Sequence, residues 1–232
     1  MSLFAIGDLH LPGGQEKPMS VFGSQWDGHF LRISESWLDQ VRPEDTVLIP
    51  GDISWAMRME DAREDLEKIG RLPGRKILIR GNHDYWWGAI TRVRAMLPEG
   101  MYALQQSALE IGDAVVCGTR GWLIPGPDSR MEDRDLKIYQ RELARLDMAL
   151  DHAAQIAEGR PVLAMLHYPP LLKSQRVSGF TERLERAGVR LCVYGHLHGA
   201  GIQAGFSGTQ GGVRYELTSC DSQQFRVRKI EL

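Results

Sequence analysis

The sequence predicts an α/β protein with a mixed sheet, and three features of the residue pattern carry this prediction. Apolar runs of strand length alternate with longer amphipathic stretches over most of the 232-residue chain. In the middle, short apolar runs lie close together, and two of them flank the hairpin signal Gly112-Asp113. Several apolar runs end directly in Asp, Asn or His. Parallel strands joined by helices, interrupted by one antiparallel portion, account for all three features.

Composition places the chain among ordinary globular proteins. Hydrophobic residues make up 43% and charged residues 25%, and the mean hydropathy is -0.29. The length suits one domain over residues 1–232. A net charge of -2 and a pI near 6.4 provide no basic field for a polyphosphate backbone, so nucleic acid is disfavoured as a partner.

The N-terminus and the cysteines indicate the compartment. No basic segment followed by an apolar stretch opens the chain, and no window approaches 18 apolar residues, so we expect a cytoplasmic protein without a membrane segment. Cys117, Cys192 and Cys220 are odd in number and form no C-x-x-C pair, which argues against a disulfide framework or a thiolate zinc site. The oligomeric state stays open.

The first half predicts strands that alternate with helices. β-branched runs give the strands, apolar residues three and four apart give the helices, and glycine or proline ends each element. The region 11–28 has no clear period and is predicted to be a functional loop. The predicted elements are a strand at 3–6, helix at 30–41, strand at 46–49, helix at 54–70, strand at 76–79 and helix at 87–97.

The second half begins with the predicted antiparallel strands, after which strands and helices alternate again. Leu136, Leu143 and Leu150 belong to an apolar stripe that predicts a long helix packed on the sheet. A glycine-rich connection is expected at 199–212. The predicted elements are strands at 102–104, 108–111 and 114–118, a helix at 132–158, a strand at 162–166, a helix at 181–187, and strands at 191–194, 213–218 and 225–230.

Polar side chains that handle metals or protons follow five of the predicted strands. They are Asp8 and His10, then Asp52, then Asn82, His83 and Asp84, then His167, and finally His196 and His198. Five of the seven histidines fall at these strand ends, which a random scatter would rarely produce. Loops at the carboxyl ends of strands converge on the ligand-binding edge of an α/β sheet. We therefore expect these side chains to meet.

The chemistry of this set predicts a metal centre. Two aspartates, four imidazoles and an amide oxygen, without thiolate, suit Mn²⁺, Fe or Zn²⁺ better than Ca²⁺ or Mg²⁺. Pairs two residues apart, such as Asp8 with His10, share a face where the backbone is extended. Seven ligands are too many for one ion, so the set predicts two divalent metals that share a carboxylate.

The order of these motifs resembles the signature of the calcineurin-like metallophosphoesterase superfamily, and the resemblance spans residues 8–198. It implies two mixed β-sheets packed face to face and flanked by helices, a four-layer αββα sandwich. It implies that one metal is held by Asp8, His10, Asp52 and His198 and the other by Asp52, Asn82, His167 and His196. Asp52 would bridge the metals. Asn82 and His83 would contact the substrate, with His83 catalytic and Asp84 orienting its ring.

The implied reaction is hydrolysis of a phosphate mono- or diester on a small substrate. A hydroxide that bridges the two metal ions would attack in line, and a protonated His83 would act as general acid. Two sequence differences from other groups of the superfamily narrow the group to which the chain is similar. The tyrosine ligand of purple acid phosphatases is absent from Ile53-Ser54-Trp55, and Asp84 replaces the glutamate of protein serine/threonine phosphatases. The chain therefore resembles the small prokaryotic phosphohydrolases.

Two alternatives to this enzyme stay open. A non-catalytic metal-binding scaffold or interaction protein can use the same fold, as the superfamily's retromer subunit does, although such members usually lose ligands. A nuclease would need a basic groove. Residues 199–204 also fit a dinucleotide fingerprint, with Asp221 at about the expected distance, but the glycines that follow forbid the necessary helix.

For several aromatic and basic residues near the strand ends, the sequence leaves two roles open. Trp55, Trp86, Trp87 and Trp122 can line a pocket for a base or aryl group, or can pack under the loops. Arg120 can clamp a phosphate or be solvated. Trp26 and His29 can close over the site or pack within their loop.

Overall fold

Two mixed β-sheets pack face to face in the computed structural model of the chain, which describes residues 1–14, 19–126 and 131–232. Part of the predicted 11–28 loop, residues 15–18, lies outside the described residues. The strands are β1 (Leu3–Ala5), β2 (Thr46–Ile49), β3 (Arg75–Leu78), β4 (Met101–Ala103), β5 (Ser107–Ile111), β6 (Ala114–Thr119), β7 (Val162–Leu166), β8 (Leu191–Tyr194), β9 (Gly208–Gln210), β10 (Val213–Leu217) and β11 (Arg228–Ile230).

The first sheet has the order β11-β1-β2-β3-β4, and the second has the order β5-β6-β7-β8-β10-β9. Strands β1 to β4 are parallel to one another, as are β6, β7, β8 and β10. The antiparallel strands β11, β5 and β9 lie at sheet edges. Residues of both inner faces, among them Leu48, Ile77, Val116 and Met165, form one buried cluster between the sheets.

Helices cover both outer faces. The helices are α1 (His29–Gln40), α2 (Met59–Gly70), α3 (Ile90–Met96), α4 (Asp133–Ala157) and α5 (Gly179–Arg186). Trp37 of α1 and Leu66 of α2 pack with the first sheet, whereas Leu146 of α4 and Leu184 of α5 pack with the second. The predicted four-layer αββα sandwich is confirmed. None of the helices in the described part of the chain has the length and apolarity to cross a membrane.

The middle of the chain differs from the expectation that it is antiparallel throughout. Only the hairpin of β5 and β6 is antiparallel, because β4 pairs in parallel with β3 in the first sheet. The chain changes sheets between β4 and β5, where Gln106 adopts a left-handed backbone with a φ of 50°. A short apolar run carries no information about which sheet it joins, so the sequence pattern did not show this crossover.

The starts of α2 and β11 and the glycine-rich connection also differ from the prediction. Helix α2 begins at Met59 rather than at residue 54, because the Ser54 hydroxyl donates to Asp65 (2.7 Å) and its backbone pairs with Leu11 in an isolated bridge. Strand β11 begins at Arg228 rather than at residue 225, because Phe225 has a φ of 59°. The glycine-rich connection contains the edge strand β9, which the sequence did not predict.

Buried Asp65 fixes the loops that lead to the carboxyl ends of β1 and β2. Its Oδ2 accepts hydrogen bonds from the Gly13 N–H and the Ser54 hydroxyl, both at 2.7 Å. Helix α2 therefore anchors the segments that follow the first two strands, and these segments carry the first polar residues of the site.

Candidate metal centre

The seven candidate ligands all lie in loops that directly follow the parallel strands β1, β2, β3, β7 and β8. Four of them, Asp8, His10, Asp52 and His196, have φ values of 60°, 45°, 51° and 73°. Left-handed backbone is uncommon outside glycine, and such strain gathers at functional sites. The loops therefore hold these side chains in conformations that the surrounding structure enforces.

Two glycines make room for the aspartates. A Cβ on Gly81 would lie 2.0 Å from the Asp52 Oδ1, and one on Gly195 would lie 2.2 Å from the Asp8 Oδ2. Neither glycine needs positive φ. The absence of a side chain at Gly81 lets the Asp52 carboxylate approach the backbone.

Asp8, His10 and His198 form the first group of candidate ligands, and each offers one ligand atom within 4.8 Å of the others. The Nε2 atoms of His10 and His198 lie 3.3 Å apart, and the His198 Nε2 lies 3.3 Å from the Asp8 Oδ1. The backbone N–H of His196 donates to both oxygens of Asp8, at 3.0 and 3.2 Å, which fixes the carboxylate plane.

Asn82, His167 and His196 form the second group. The Asn82 Oδ1 lies 2.6 Å from the His167 Nε2 and 2.8 Å from the His196 Nδ1. The other nitrogen of His167, Nδ1, donates to the Pro50 carbonyl at 3.0 Å, so Nε2 is the nitrogen that faces the cluster.

Asp52 lies between the two groups. Its Oδ2 is 3.8 Å from the His10 Nε2 and 3.5 Å from the His167 Nε2, so one carboxylate oxygen reaches both. Asp8, Asp52 and His167 also offer ligand atoms within 4.8 Å of one another. The seven side chains thus form one continuous cluster with Asp52 at its centre.

The electrostatics of the cluster favour a bound cation. Burial, with Asp8 and Asp84 nearby, raises the pKa of Asp52 well above its usual range. Burial lowers the pKa of His10 and His167, and burial together with the charge of His167 lowers the pKa of His196 to about 3. Neutral imidazoles and crowded carboxylates are a donor set that divalent cations stabilise. The residues present therefore fit divalent metal binding.

Asp221 is a site residue that the sequence analysis missed. The His198 Nδ1–H donates to its Oδ1 at 2.9 Å, and the Gly199 N–H donates to its Oδ2 at 2.9 Å. Burial opposes a charge on His198, but the attraction of Asp8 and the bond to Asp221 outweigh it and raise the pKa of His198 to about 10. Asp221 therefore orients His198 so that Nε2 points at the cluster.

Asp221→Asn is expected to weaken Mn²⁺ binding by roughly 10–100-fold, because an amide orients the imidazole less strictly and leaves it less basic. Calorimetric titration of the metal-free protein with Mn²⁺ measures this change. Asp147→Asn is the control, since Asp147 pairs with Arg183 on helices away from the cluster. An unchanged affinity in Asp221→Asn would show that Asp221 has no part in metal binding.

Asp84 joins two of the ligand-bearing turns. Its Oδ1 accepts from the N–H groups of Ile53 (2.8 Å) and Ser54 (3.2 Å) and from the Trp86 indole (2.9 Å), and its Oδ2 accepts from the Gly81 N–H (2.8 Å). These hydrogen bonds fix the turn that carries Asn82 and His83. That Asp84 also orients the ring of His83 stays a prediction.

The ring of His83 packs on Trp55, with ring centroids 4.4 Å apart, while its backbone N–H donates to the Asp52 Oδ1 at 2.8 Å. Trp55 also stacks on His10, at 5.0 Å with an interplanar angle of 23°. One tryptophan face therefore holds both imidazoles beside the cluster.

An aromatic cavity of about 210 Å³ opens beside the first group of ligands. Trp26 and Trp55 line it with Met19, and it is bordered by His10, His83 and His198. Trp55 therefore lines a pocket, which is one of its two interpretations, and Trp26 lines the same pocket from the 11–28 loop.

The remaining aromatic candidates pack under the loops. Trp86 and Trp87 are each 2% exposed and donate to Asp84 and Gln105. Trp122 lies beneath the Arg120 guanidinium, 4.6 Å from ring centroid to Cζ. His29 faces the carbonyls of Leu9 (2.9 Å) and Trp26 (3.1 Å), which places it within its loop.

Comparison with known proteins gives one family and several similar folds. The model of the family described as calcineurin-like phosphoesterase matches residues 1–200. Gene 66 protein of Mycobacterium phage D29 is 47% identical over 88 residues, which cover 36% of this chain and 40% of that protein. The match thus spans less than half of the phage protein.

Similar solved structures share the fold at low sequence identity. The phosphopantetheinyl hydrolase of Mycobacterium tuberculosis has a TM-score of 0.56 at 15% identity, with 99% of this chain and 95% of that chain covered. A protein of unknown function from Aquifex aeolicus has a TM-score of 0.53 at 17% identity, with 98% and 95% covered. The protein TT1561 of Thermus thermophilus has a TM-score of 0.53 at 12% identity, with 99% and 97% covered.

Proposed function

The chain belongs to the calcineurin-like phosphoesterase family, and on that premise we propose that it hydrolyses a phosphate mono- or diester with the help of two divalent cations. The observation that carries the proposal is the position of the Asp52 Oδ2, within 3.8 Å of the His10 Nε2 and 3.5 Å of the His167 Nε2. A carboxylate shared between two groups of nitrogen and oxygen ligands is the arrangement that a two-metal site requires.

In this proposal, one cation is held by Asp8, His10, Asp52 and His198, and the other by Asp52, Asn82, His167 and His196. Mn²⁺, Fe and Zn²⁺ suit the nitrogen-rich ligand set. Bound cations supply the positive charge that attracts a phosphate ester and the acidity that turns a water molecule into hydroxide near neutral pH.

The protein's own residues position the ester and the proton. Asn82 and His83 follow β3 directly, and Asp84 fixes their turn to the main chain of residues 53 and 54. His83 borders both the cluster and the aromatic cavity. We assign its ring the donation of a proton to the leaving oxygen, and Trp55 the task of holding that ring.

The aromatic cavity favours substrates whose leaving group has a flat apolar part. Trp26 makes a T-shaped contact with His198, with ring centroids 5.5 Å apart, and Trp55 stacks on His10. A base or aryl ring that enters this space contacts aromatic surface while its ester oxygen stays near His83. The buried cluster that spans both sheets also supports our proposal that residues 1–232 act as one domain.

A substrate panel tests the proposed function. Purified protein supplied with Mn²⁺, Zn²⁺ or Fe²⁺ is assayed on p-nitrophenyl phosphate, bis-p-nitrophenyl phosphate and cyclic AMP. We expect turnover of at least one aryl ester that depends on added metal. Protein that binds metal at the cluster but hydrolyses none of the esters would contradict the proposal and favour the non-catalytic scaffold.

A further inference from the structure

An arginine-lined cavity of about 270 Å³ includes in its lining two residues that are backbone neighbours of the candidate ligands Asn82 and His167. Its position follows from its lining. Arg80 precedes Asn82 by two residues, so their Cα atoms are at most about 7 Å apart. The Arg120 carbonyl accepts the His167 N–H at 3.0 Å. The arginines that line the cavity, called the arginine cavity below, are Arg80, Arg120, Arg141 and Arg145.

These arginines come from three elements that meet at one place. Arg80 follows β3 of the first sheet, Arg120 follows β6 of the second, and Arg141 and Arg145 lie one turn apart on α4. The loops after the strands and the covering helix therefore bring four arginines to the lining of one cavity. Gln105 and Thr119 add polar lining between them.

One buried carboxylate forms ion pairs with three of these arginines. Glu142 is fully buried, and its Oε1 lies 2.6 Å from the Arg145 Nη1 and 3.8 Å from both the Arg120 Nη2 and the Arg141 Nε. Its Oε2 accepts the Thr119 hydroxyl at 2.8 Å. A single carboxylate shared by three arginines leaves the cavity with a surplus of positive charge.

Arg80 adds to that surplus. Within residues 1–14, 19–126 and 131–232 its guanidinium has no carboxylate partner, and its buried Nε–H has no hydrogen-bond acceptor. The buried Nε–H of Arg120 also has none in the same ranges. Unsatisfied buried donors and uncompensated guanidinium groups are costly unless an anion completes them.

Resting on the proposed function, we propose that the arginine cavity binds a second phosphate group of the substrate, one that is not hydrolysed. Arginine forks match phosphate oxygens in pairs, and a doubly charged phosphate would balance the surplus charge. The hydrolysed ester lies at the metal centre and the second phosphate lies in the cavity, so the preferred substrate carries two phosphates on one scaffold.

Binding of inorganic pyrophosphate to metal-free protein tests the cavity without any turnover. We expect wild type to bind and Arg80→Gln to bind at least about tenfold more weakly, which corresponds to about 1.4 kcal/mol. Arg141→Gln is the second variant, because Glu142 keeps Arg145 as its partner. Arg228→Gln is the matched control, since Arg228 pairs with Glu216 elsewhere and loses the same charge.

Kinetic measurements on metal-loaded protein then distinguish a cavity that binds a phosphate group of the substrate from one that binds only a free anion. The ratio of kcat/KM for adenosine 3′,5′-bisphosphate to that for AMP is expected to fall about tenfold in Arg80→Gln and to stay constant in Arg228→Gln. Unchanged pyrophosphate affinity in both cavity variants overturns the site. Weaker pyrophosphate affinity with an unchanged ratio of kcat/KM values would show that the cavity binds anions but not a phosphate group of the substrate. If no ester is hydrolysed, the proposed function fails, and the binding measurement still decides whether the cavity takes phosphate.

Discussion

Asp52→Asn is expected to lower kcat/KM on an aryl phosphate by roughly a thousandfold or more, because it removes the charge that we propose both cations share. The amide keeps the shape of the carboxylate, so the fold remains intact. The pKa of Asp52 is raised by burial and by the nearby charges of Asp8 and Asp84. Metal-free Asp52→Asn should therefore be at least as stable as metal-free wild type, since the amide relieves that repulsion.

Steady-state rates and thermal unfolding of the metal-free proteins measure the two effects together. Asp147→Asn serves as the control, as it removes a partly exposed carboxylate on α4 with no contact to the cluster. An active Asp52→Asn enzyme would contradict the bridging role. Loss of activity together with a large loss of metal-free stability would point to misfolding rather than to catalysis.

Removal of metal is expected to abolish turnover, and resupply of Mn²⁺ should restore it. A site that is saturated at 100 times its dissociation constant stabilises the folded state by about 2.7 kcal/mol. For a chain of this size that free energy corresponds to a rise in Tm of roughly 5–10 °C. The physical reason is that the cations offset the repulsion among the buried carboxylates, which the metal-free protein must tolerate.

Thermal scans with and without Mn²⁺, paired with assays of chelated protein of known metal content, measure this prediction. Asp52→Asn is the informative comparison, because its Tm should respond to Mn²⁺ much less than that of wild type. Full activity in protein shown to lack metal would exclude a metal-dependent reaction.

The sequence located the cluster well because its signal is local. Each ligand directly follows an apolar run, and parallel strands bring their carboxyl ends to one edge regardless of how far apart they are in the chain. Asp8 and His167 therefore meet although 159 positions separate them. The alternation of strands and helices predicted only a mixed α/β sheet. The resemblance to the superfamily implied the αββα sandwich, which is confirmed.

The residues that the sequence missed act through contacts between distant segments. Asp221 follows β10, just as the other site residues follow their strands. No histidine lies beside it in the sequence to mark it as a metal-site residue. The sequence analysis mentioned it only in connection with the dinucleotide fingerprint that was rejected. Arg141 and Arg145 are ordinary charged positions on an amphipathic helix until β3 and β6 bring Arg80 and Arg120 opposite them. Nothing in the sequence spacing shows that Arg120, Arg141 and Arg145 share the buried carboxylate of Glu142.

The backbone corrections have the same origin. The start of α2 depends on the bond between Ser54 and Asp65, and the start of β11 depends on the left-handed turn at Phe225. Local propensity does not encode such tertiary contacts, which override it at element ends. The strand ends that bear ligands were predicted more closely because polar residues mark them.

We propose that seven side chains hold two cations with Asp52 between them, and anomalous diffraction from crystals grown with Mn²⁺ tests this arrangement most directly. We predict two anomalous peaks about 3.5–4 Å apart, the spacing of two-metal sites, with an Asp52 oxygen bound to both. A single peak, or two peaks of which Asp52 contacts at most one, would contradict the account.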